Sequence, residues 1–300
     1  MYILVIAAVA PAVFLLYQVY KMDKIEKEPW PLLRKLLIFG AIACIPAALV
    51  ELLLTSLFQN VLEEGTLLYN FAAAFIVAAL VEESIKFIFL YVFTFKSSEF
   101  NYRFDGVVYA VFVSMGFAIL ENVLYVIQGG LGVAITRALL SLPLHATCGV
   151  YMGTYYGQQK VRSLTRPVSF GAVALSCLPL SILIHGFYDF CAFSAAEWPF
   201  FIVIFLVFVI AVFIITLMRL KKASREDRLV DDRPAEPQPV ERQAIELHPV
   251  EAQRSQAQPL ELHPVEAQRT EAQPAQEQSP QEKSMKDILS VNKEDLNNVL

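Results

Sequence analysis

Residues Phe75–Phe93 read FIVAALVEESIKFIFLYVF, an apolar run with Glu82, Glu83 and Lys86 set in its middle. At about 1.5 Å per residue the run is long enough to cross most of a bilayer core of about 30 Å. An ionisable side chain at mid-bilayer costs at least about 2.5–3.5 kcal/mol, so three together require a reason. Glu82 and Lys86 are four apart and Glu83 and Lys86 three apart, which puts each carboxylate on a helical face with the ammonium. One carboxylate would satisfy a structural ion pair. Two adjacent ones face different directions and ask for a second partner.

Similar runs fill most of the chain, which is 56% hydrophobic with a mean hydropathy of +0.50. Apolar blocks of this length, unbroken by turn residues, mean helices. We read seven spans, Tyr2–Tyr17, Leu36–Phe58, Leu67–Phe95, Phe104–Gln128, Leu131–Gly157, Phe170–Phe193 and Trp198–Leu220. The fold class is therefore all-α, a polytopic membrane helix bundle. Basic loops (Lys21 to Lys35; Lys96 and Arg103; Lys160, Arg162 and Arg166; Arg219 to Lys222) alternate with loops that hold no base. The positive-inside rule then puts the N-terminus outside and the C-terminus in the cytoplasm of a cell-membrane protein. The first span has no basic residues before it and reads as a retained anchor rather than a cleaved signal. The cysteines, Cys44, Cys148, Cys177 and Cys191, all fall inside spans and read as small core residues.

After Lys222 the composition turns to Glu, Gln, Pro and Arg, and ELHPVEAQR occurs twice, at Glu246–Arg254 and Glu261–Arg269. We divide the chain into a helix bundle, 1–222, and a disordered cytoplasmic tail, 223–300, too poor in apolar residues to fold. The weakly amphipathic end Met285–Leu300 reads as a dangling end, with docking of an unidentified partner as the alternative. No nucleic-acid partner is expected; the surroundings are the lipid bilayer.

Other polar residues fall inside the spans: Glu51, Glu121, Asn122, Arg137, His145, His185 and Asp189. His185 and Asp189 are four apart, the spacing at which a carboxylate orients an imidazole. Counted along their spans, Glu82 and His145 lie about 20 Å from the outer face, and Glu121 and His185 about 10–12 Å from it. One shared site is within reach of all four. His145, Gly149, Gly153 and Gly157 recur every four residues, a spacing that lets helix backbones approach closely and turns His145 into the bundle. Asn122 reads as an interhelical hydrogen bond or a support for the site, and Phe117, one turn before Glu121, as a support for the site. Arg137, near a span end, reads as a snorkelling residue. Histidine and carboxylate ligands suit zinc, and a neighbouring glutamate can serve as general base. No HExxH, serine elbow or GxGD is present.

The stretches DKIEKEPW (Asp23–Trp30), EESIK (Glu82–Lys86), FAILEN (Phe117–Asn122), LHATCG around His145 and HGFYDF (His185–Phe190) occur in this order. Together they resemble the PrsW family of intramembrane proteases, which is similar to the prenyl-protein and bacteriocin-processing endopeptidases. That superfamily shows EExxxR, FxxxH and HxxxN or HxxxD. Here the base is one position closer, at Lys86, and Glu121 replaces the histidine of FxxxH. The resemblance implies a multi-pass protease that cuts single-pass membrane proteins, an anti-sigma factor being the known substrate type. Residues and resemblance together assign Glu82 or Glu83 as general base and Lys86 as the group that keeps it ionised. Glu121, His145 and His185 would hold zinc or an oxyanion, and Asp189 would orient His185 or join it as a ligand. The water needed for hydrolysis implies a wet cavity between spans three to six. The rival readings are an ion- or proton-coupled transporter, against which the two halves show no internal repeat, and an inactive membrane scaffold.

Overall fold

The computed structural model describes residues 2–231. Both ELHPVEAQR units and the Met285–Leu300 end lie outside the described residues. The elements are α1 (Tyr2–Met22), α2 (Trp30–Gln59), α3 (Leu67–Phe71), a π-helical stretch (Ala72–Ala79), α4 (Leu80–Thr94), α5 (Asp105–Leu139), α6 (Ser141–Thr165), α7 (Phe170–Ser194) and α8 (Phe201–Arg225). Local chemistry starts several of them. Pro31 sits in the first turn of α2, where its missing N–H costs nothing. The hydroxyls of Thr66 and Ser169 cap α3 and α7 by accepting from Tyr69 N and Ala172 N.

Among the described residues five helical runs are long and apolar enough to cross a membrane: Tyr2–Met22, Trp30–Gln59, Asp105–Thr165, Phe170–Ser194 and Phe201–Arg225. Their outward residues, such as Leu53, Leu175 and Val203, are exposed and apolar, as lipid-facing surfaces must be. The expected third span corresponds to α3, the π stretch and α4, which follow one another without a break. The expected fourth and fifth spans lie in Asp105–Thr165, with a correction of their boundary. The chain breaks at Gly130 (φ +74) and again at Leu140, and α6 starts at Ser141 rather than Leu131. The segment between the breaks packs back: Ala134 joins Ala8 and Val126 in a small core. Gly130 is the residue that permits the reversal, because only glycine adopts such a φ without strain.

Helix α5 is the axis of the bundle. Val107 to Val113 are all buried on it, with α1, α2 and α6 as its main neighbours. It meets them through glycine. A Cβ on Gly153 of α6 would stand 2.3 Å from the Gly106 carbonyl oxygen, and one on Gly40 of α2 would stand 2.1 Å from that of Val113. Backbones this close gain dispersion and leave no room for a side chain.

The tail boundary expected at residue 223 also moves. Helix α8 runs to Arg225, and the next residues lie against the α4–α5 loop. There Arg103 N donates to Arg228 O (3.1 Å), Phe104 N to Asp227 Oδ1 (2.9 Å) and Val230 N to Asn101 O (2.6 Å). At the same end the loop after α1 tucks in Asp23 and Glu28, 1% and 4% exposed. Tyr109 donates its hydroxyl to Glu28 Oε2 at 2.5 Å.

Two predictions follow from this packing. Gly153→Val forces α5 and α6 apart and destabilises by about 1–3 kcal/mol or more, whereas Gly132→Ala, which meets nothing within 4 Å, stays within about 0.5 kcal/mol; thermal unfolding in detergent reads both. Burial pushes the Glu28 carboxyl up from 4.5 to about 7 and that of Asp23 up from 3.8 to about 6; Asp23 and Glu99 add repulsion at Glu28, and Asp227 and Glu26 at Asp23, while hydrogen bonds from Tyr109 and Asp105 oppose the shift of Glu28 and Lys27 opposes that of Asp23. A raised acid keeps its proton in the folded chain while the unfolded chain has lost it. Stability therefore falls as pH rises from about 4 to about 7 and then levels off, and Glu28→Gln flattens that slope in unfolding midpoints taken across the range.

Candidate active site

The site forms where α4, α5, α6 and α7 meet. The π-helical stretch leads straight into Glu82 and Glu83. Its wider turn shifts the phase of α4 relative to α3, a distortion frequent beside functional residues. Its sequence, AAAFIVAA, is small enough to let α7 press on it; a Cβ on Gly186 would stand 2.3 Å from the Phe75 ring. That contact sets the depth of His185.

Lys86 occupies the centre. Its Nζ donates to Glu82 Oε2 at 2.9 Å and to Glu83 Oε1 at 2.9 Å, and meets His145 Nδ1 at 3.0 Å. It also lies 4.2 Å from the centre of the Phe117 ring, a favourable place for a desolvated cation. An ammonium can only donate, so His145 Nδ1 accepts and the ring proton sits on Nε2. That nitrogen faces Glu121 Oε2 at 2.9 Å. His185 repeats the pattern, with Nδ1 2.9 Å from Glu83 Oε1 and Nε2 3.2 Å from Asp189 Oδ2. Each histidine therefore turns Nδ1 to the centre and Nε2 to a carboxylate behind it, the arrangement that orients a ligating or catalytic imidazole. Ser114 fixes the backbone beneath by donating to His145 O at 2.7 Å.

Glu82, Glu83, His145 and His185 each offer one donor atom, and these atoms lie within 4.8 Å of one another. Glu83 Oε2 is buried and has no hydrogen-bond partner among the described residues. This quartet differs from the ligand set expected from sequence: Glu121 and Asp189 stand behind the histidines instead of beside them at the centre.

A cavity of about 590 Å³ reaches this cluster, lined by Glu51, Glu82, Glu121, Arg137, His145 and His185 among others, and extends to Gln128 and Phe193 at the helix ends that carry no basic loop. Helix α2 contributes Cys44, Ala48 and Glu51 to its wall, so the cavity is not confined to the four spans expected. Glu83 does not line it; Glu82 does.

Asn122 makes the interhelical hydrogen bond expected of it, whereas Arg137 stands differently from its sequence reading. Asn122 points away from the centre. It donates to Ala8 O at 2.7 Å and accepts from Arg137 Nε at 2.9 Å. Arg137 does not snorkel. Its Nη2 lies 2.7 Å from Glu121 Oε2 in ion-pair contact, without an N–H aligned on the oxygen, and its guanidinium stacks on Tyr125 at 4.2 Å. The fold-back at Gly130 brings it there. The GG pair before it, at 129–130, was the signal available in sequence.

Lys86→Met leaves two carboxylates buried without a counter-charge and costs about 3–5 kcal/mol. Combined with Glu82→Gln it costs less than the sum of the two single changes; unfolding of all three variants in detergent measures the coupling.

A family model described as PrsW family intramembrane metalloprotease matches residues 28–217. The chain is similar to proteins named Protease PrsW from Geobacillus kaustophilus (34% identical over 223 residues, 74% of this chain and 93% of the relative). It is likewise similar to those from Bacillus subtilis strain 168 (32% over 209 residues, 70% and 91%) and Clostridioides difficile strain 630 (31% over 235 residues, 76% and 94%). No solved structure matches.

Proposed function

This chain belongs to the PrsW family of intramembrane metalloproteases, and we propose that it hydrolyses peptide bonds of single-pass membrane proteins with Glu82 as general base. The observation that carries the assignment is the split between the paired glutamates: Glu82 lines the cavity, while Glu83 lies behind it, fully buried. A base must reach a water, and Glu82 is the one of the two that can. Glu83 is the positioning residue, sharing one oxygen between Lys86 and His185. Glu121 and Asp189 hold the two imidazoles from behind.

The donor set fits a metal ion. Glu83, His145 and His185 make a two-histidine, one-carboxylate set of the kind that holds catalytic zinc with a position left open, and the partnerless Glu83 Oε2 is a free ligand atom. When bound, zinc supplies polarisation of a carbonyl and acidification of a water. One observation favours a metal-free reading: Lys86 already sits on Glu82, Glu83 and His145 at 2.9–3.0 Å, giving a cation without a metal.

The cavity takes an extended segment from the base-free end, which the charge pattern puts outside the cell. The substrate is thus a membrane-anchored protein cut toward the outer leaflet, of which an anti-sigma factor is one type. The protein sits in the cell membrane. Arg137 and Glu51 keep the route polar enough for water.

Zinc by mass spectrometry on the detergent-purified protein, beside cleavage of a single-pass reporter, tests the reading. We expect about one zinc per chain, lost in His145→Ala and His185→Ala. Glu82→Gln keeps zinc and fold but loses cleavage by about 10²–10⁴-fold. A folded wild type without metal removes the ligand roles and leaves glutamate-driven hydrolysis. Wild-type cleavage by Glu82→Gln removes Glu82 as base.

A further inference from the structure

A second cavity, about 460 Å³, opens at the opposite end of the bundle, between the start of α5, the last turns of α6 and the last turns of α8. Its rim carries Arg103, Arg219 and Lys222. Against these three cations stand one carboxylate on the rim, Glu226, and a second, Asp227, close enough to Arg103 to interact with its charge. Glu226 reaches Lys222 at 3.8 Å with both side chains exposed, a contact worth little. Neither Glu226 nor Asp227 forms a close ion pair with the Arg103 or Arg219 side chain. Arg219 is nonetheless held in place. Its guanidinium lies 4.7 Å from the Tyr151 ring centre and 5.5 Å from that of Tyr155, which fixes its plane and leaves its N–H groups to a ligand. Arg103 is held through its backbone by Arg228 O. Gln158 and Thr154 add polar groups, while Val107, Ile215 and Met218 make the wall apolar. Ile215 and Met218 are 50% and 57% exposed on the outer face of α8, where acyl chains run.

We propose that this cavity binds the phosphate headgroup of an anionic phospholipid from the leaflet on the side of the basic loops. The chemistry is specific to that ligand class. Planar guanidinium groups pair with phosphate oxygens in two-point contacts. A basic pocket between membrane helices on the cytoplasmic side is where acidic headgroups lodge. The apolar wall below continues into lipid, so a headgroup that carries acyl chains fills both parts, whereas free phosphate fills only the rim. The site joins α5 and α6, which carry Glu121 and His145, to α8, and it uses no residue assigned to hydrolysis.

The test uses the full-length protein, delipidated in detergent and rebuilt into nanodiscs of phosphatidylcholine with or without phosphatidylglycerol. Native mass spectrometry counts the phosphatidylglycerol that stays bound after ejection. Wild type retains phosphatidylglycerol over phosphatidylcholine, and Arg103→Gln with Arg219→Gln lowers that preference by about 30-fold. Lys222→Gln, an exposed change that leaves the packing untouched, lowers it by about fivefold. Arg162→Gln with Arg166→Gln, on the same side but outside the cavity, leaves it unchanged. Equal retention in wild type and the Arg103/Arg219 variant overturns the proposal. So does an equal loss in the Arg162/Arg166 control, which would mark diffuse surface charge, or displacement of the lipid by millimolar inorganic phosphate, which would mark a soluble anion as the ligand.

Discussion

One ammonium group placed among carboxylates inside an apolar bundle is the constraint on which this structure turns. Lys86 contacts Glu82, Glu83 and His145 at 2.9–3.0 Å. In a low-dielectric interior an unpaired carboxylate is expensive to keep charged, and a close ammonium offsets that cost. Helix α4 therefore cannot shift or rotate without exposing a charge to lipid. The helices around it are fitted to that fixed point: α7 brings His185 to Glu83, and α6 brings His145 to Lys86. Helix α5 supplies Glu121 behind one histidine and Phe117 beneath the ammonium.

Close helix approach makes that convergence possible. The contacts of Gly153 with Gly106 and of Gly40 with Val113 remove the side-chain layer that ordinarily separates helices. Polar side chains of ordinary length can then meet across the bundle. The histidines depend on this twice, since each is held at one nitrogen by a carboxylate and turned at the other toward the centre. A loosened α5–α6 contact would misalign His145.

The two cavities lie at opposite ends of the bundle and differ in lining. The one at the base-free end reaches the glutamates and histidines and is lined by polar groups, as hydrolysis within a membrane requires. The one at the basic end carries two arginines and a lysine on its rim and an apolar wall. Between them the core is filled by α5, whose residues from Val108 to Val113 are buried and line neither cavity. A protease in this setting must admit water at one depth and exclude it elsewhere, and a solid central helix achieves this.

Much of this was legible in the amino-acid sequence, because a membrane penalises charge so heavily that each buried ionisable residue announces itself. The helical fold class, the pairing of Lys86 with Glu82 and Glu83, the partnership of His185 with Asp189 and the tight face of Gly149, Gly153 and Gly157 all follow from helical spacing, which is local. What spacing cannot report is how one helix is rotated and set against another. Only the tertiary structure decided that Glu82 and not Glu83 faces the cavity, and that Glu121 stands behind His145. It also decided that α2 lends Glu51 to the wall and that the reversal at Gly130 carries Arg137 back to Glu121 and Asn122. Each of those outcomes depends on the relative rotation of packed helices or on one backbone reversal, and close contacts between residues distant in the chain set both.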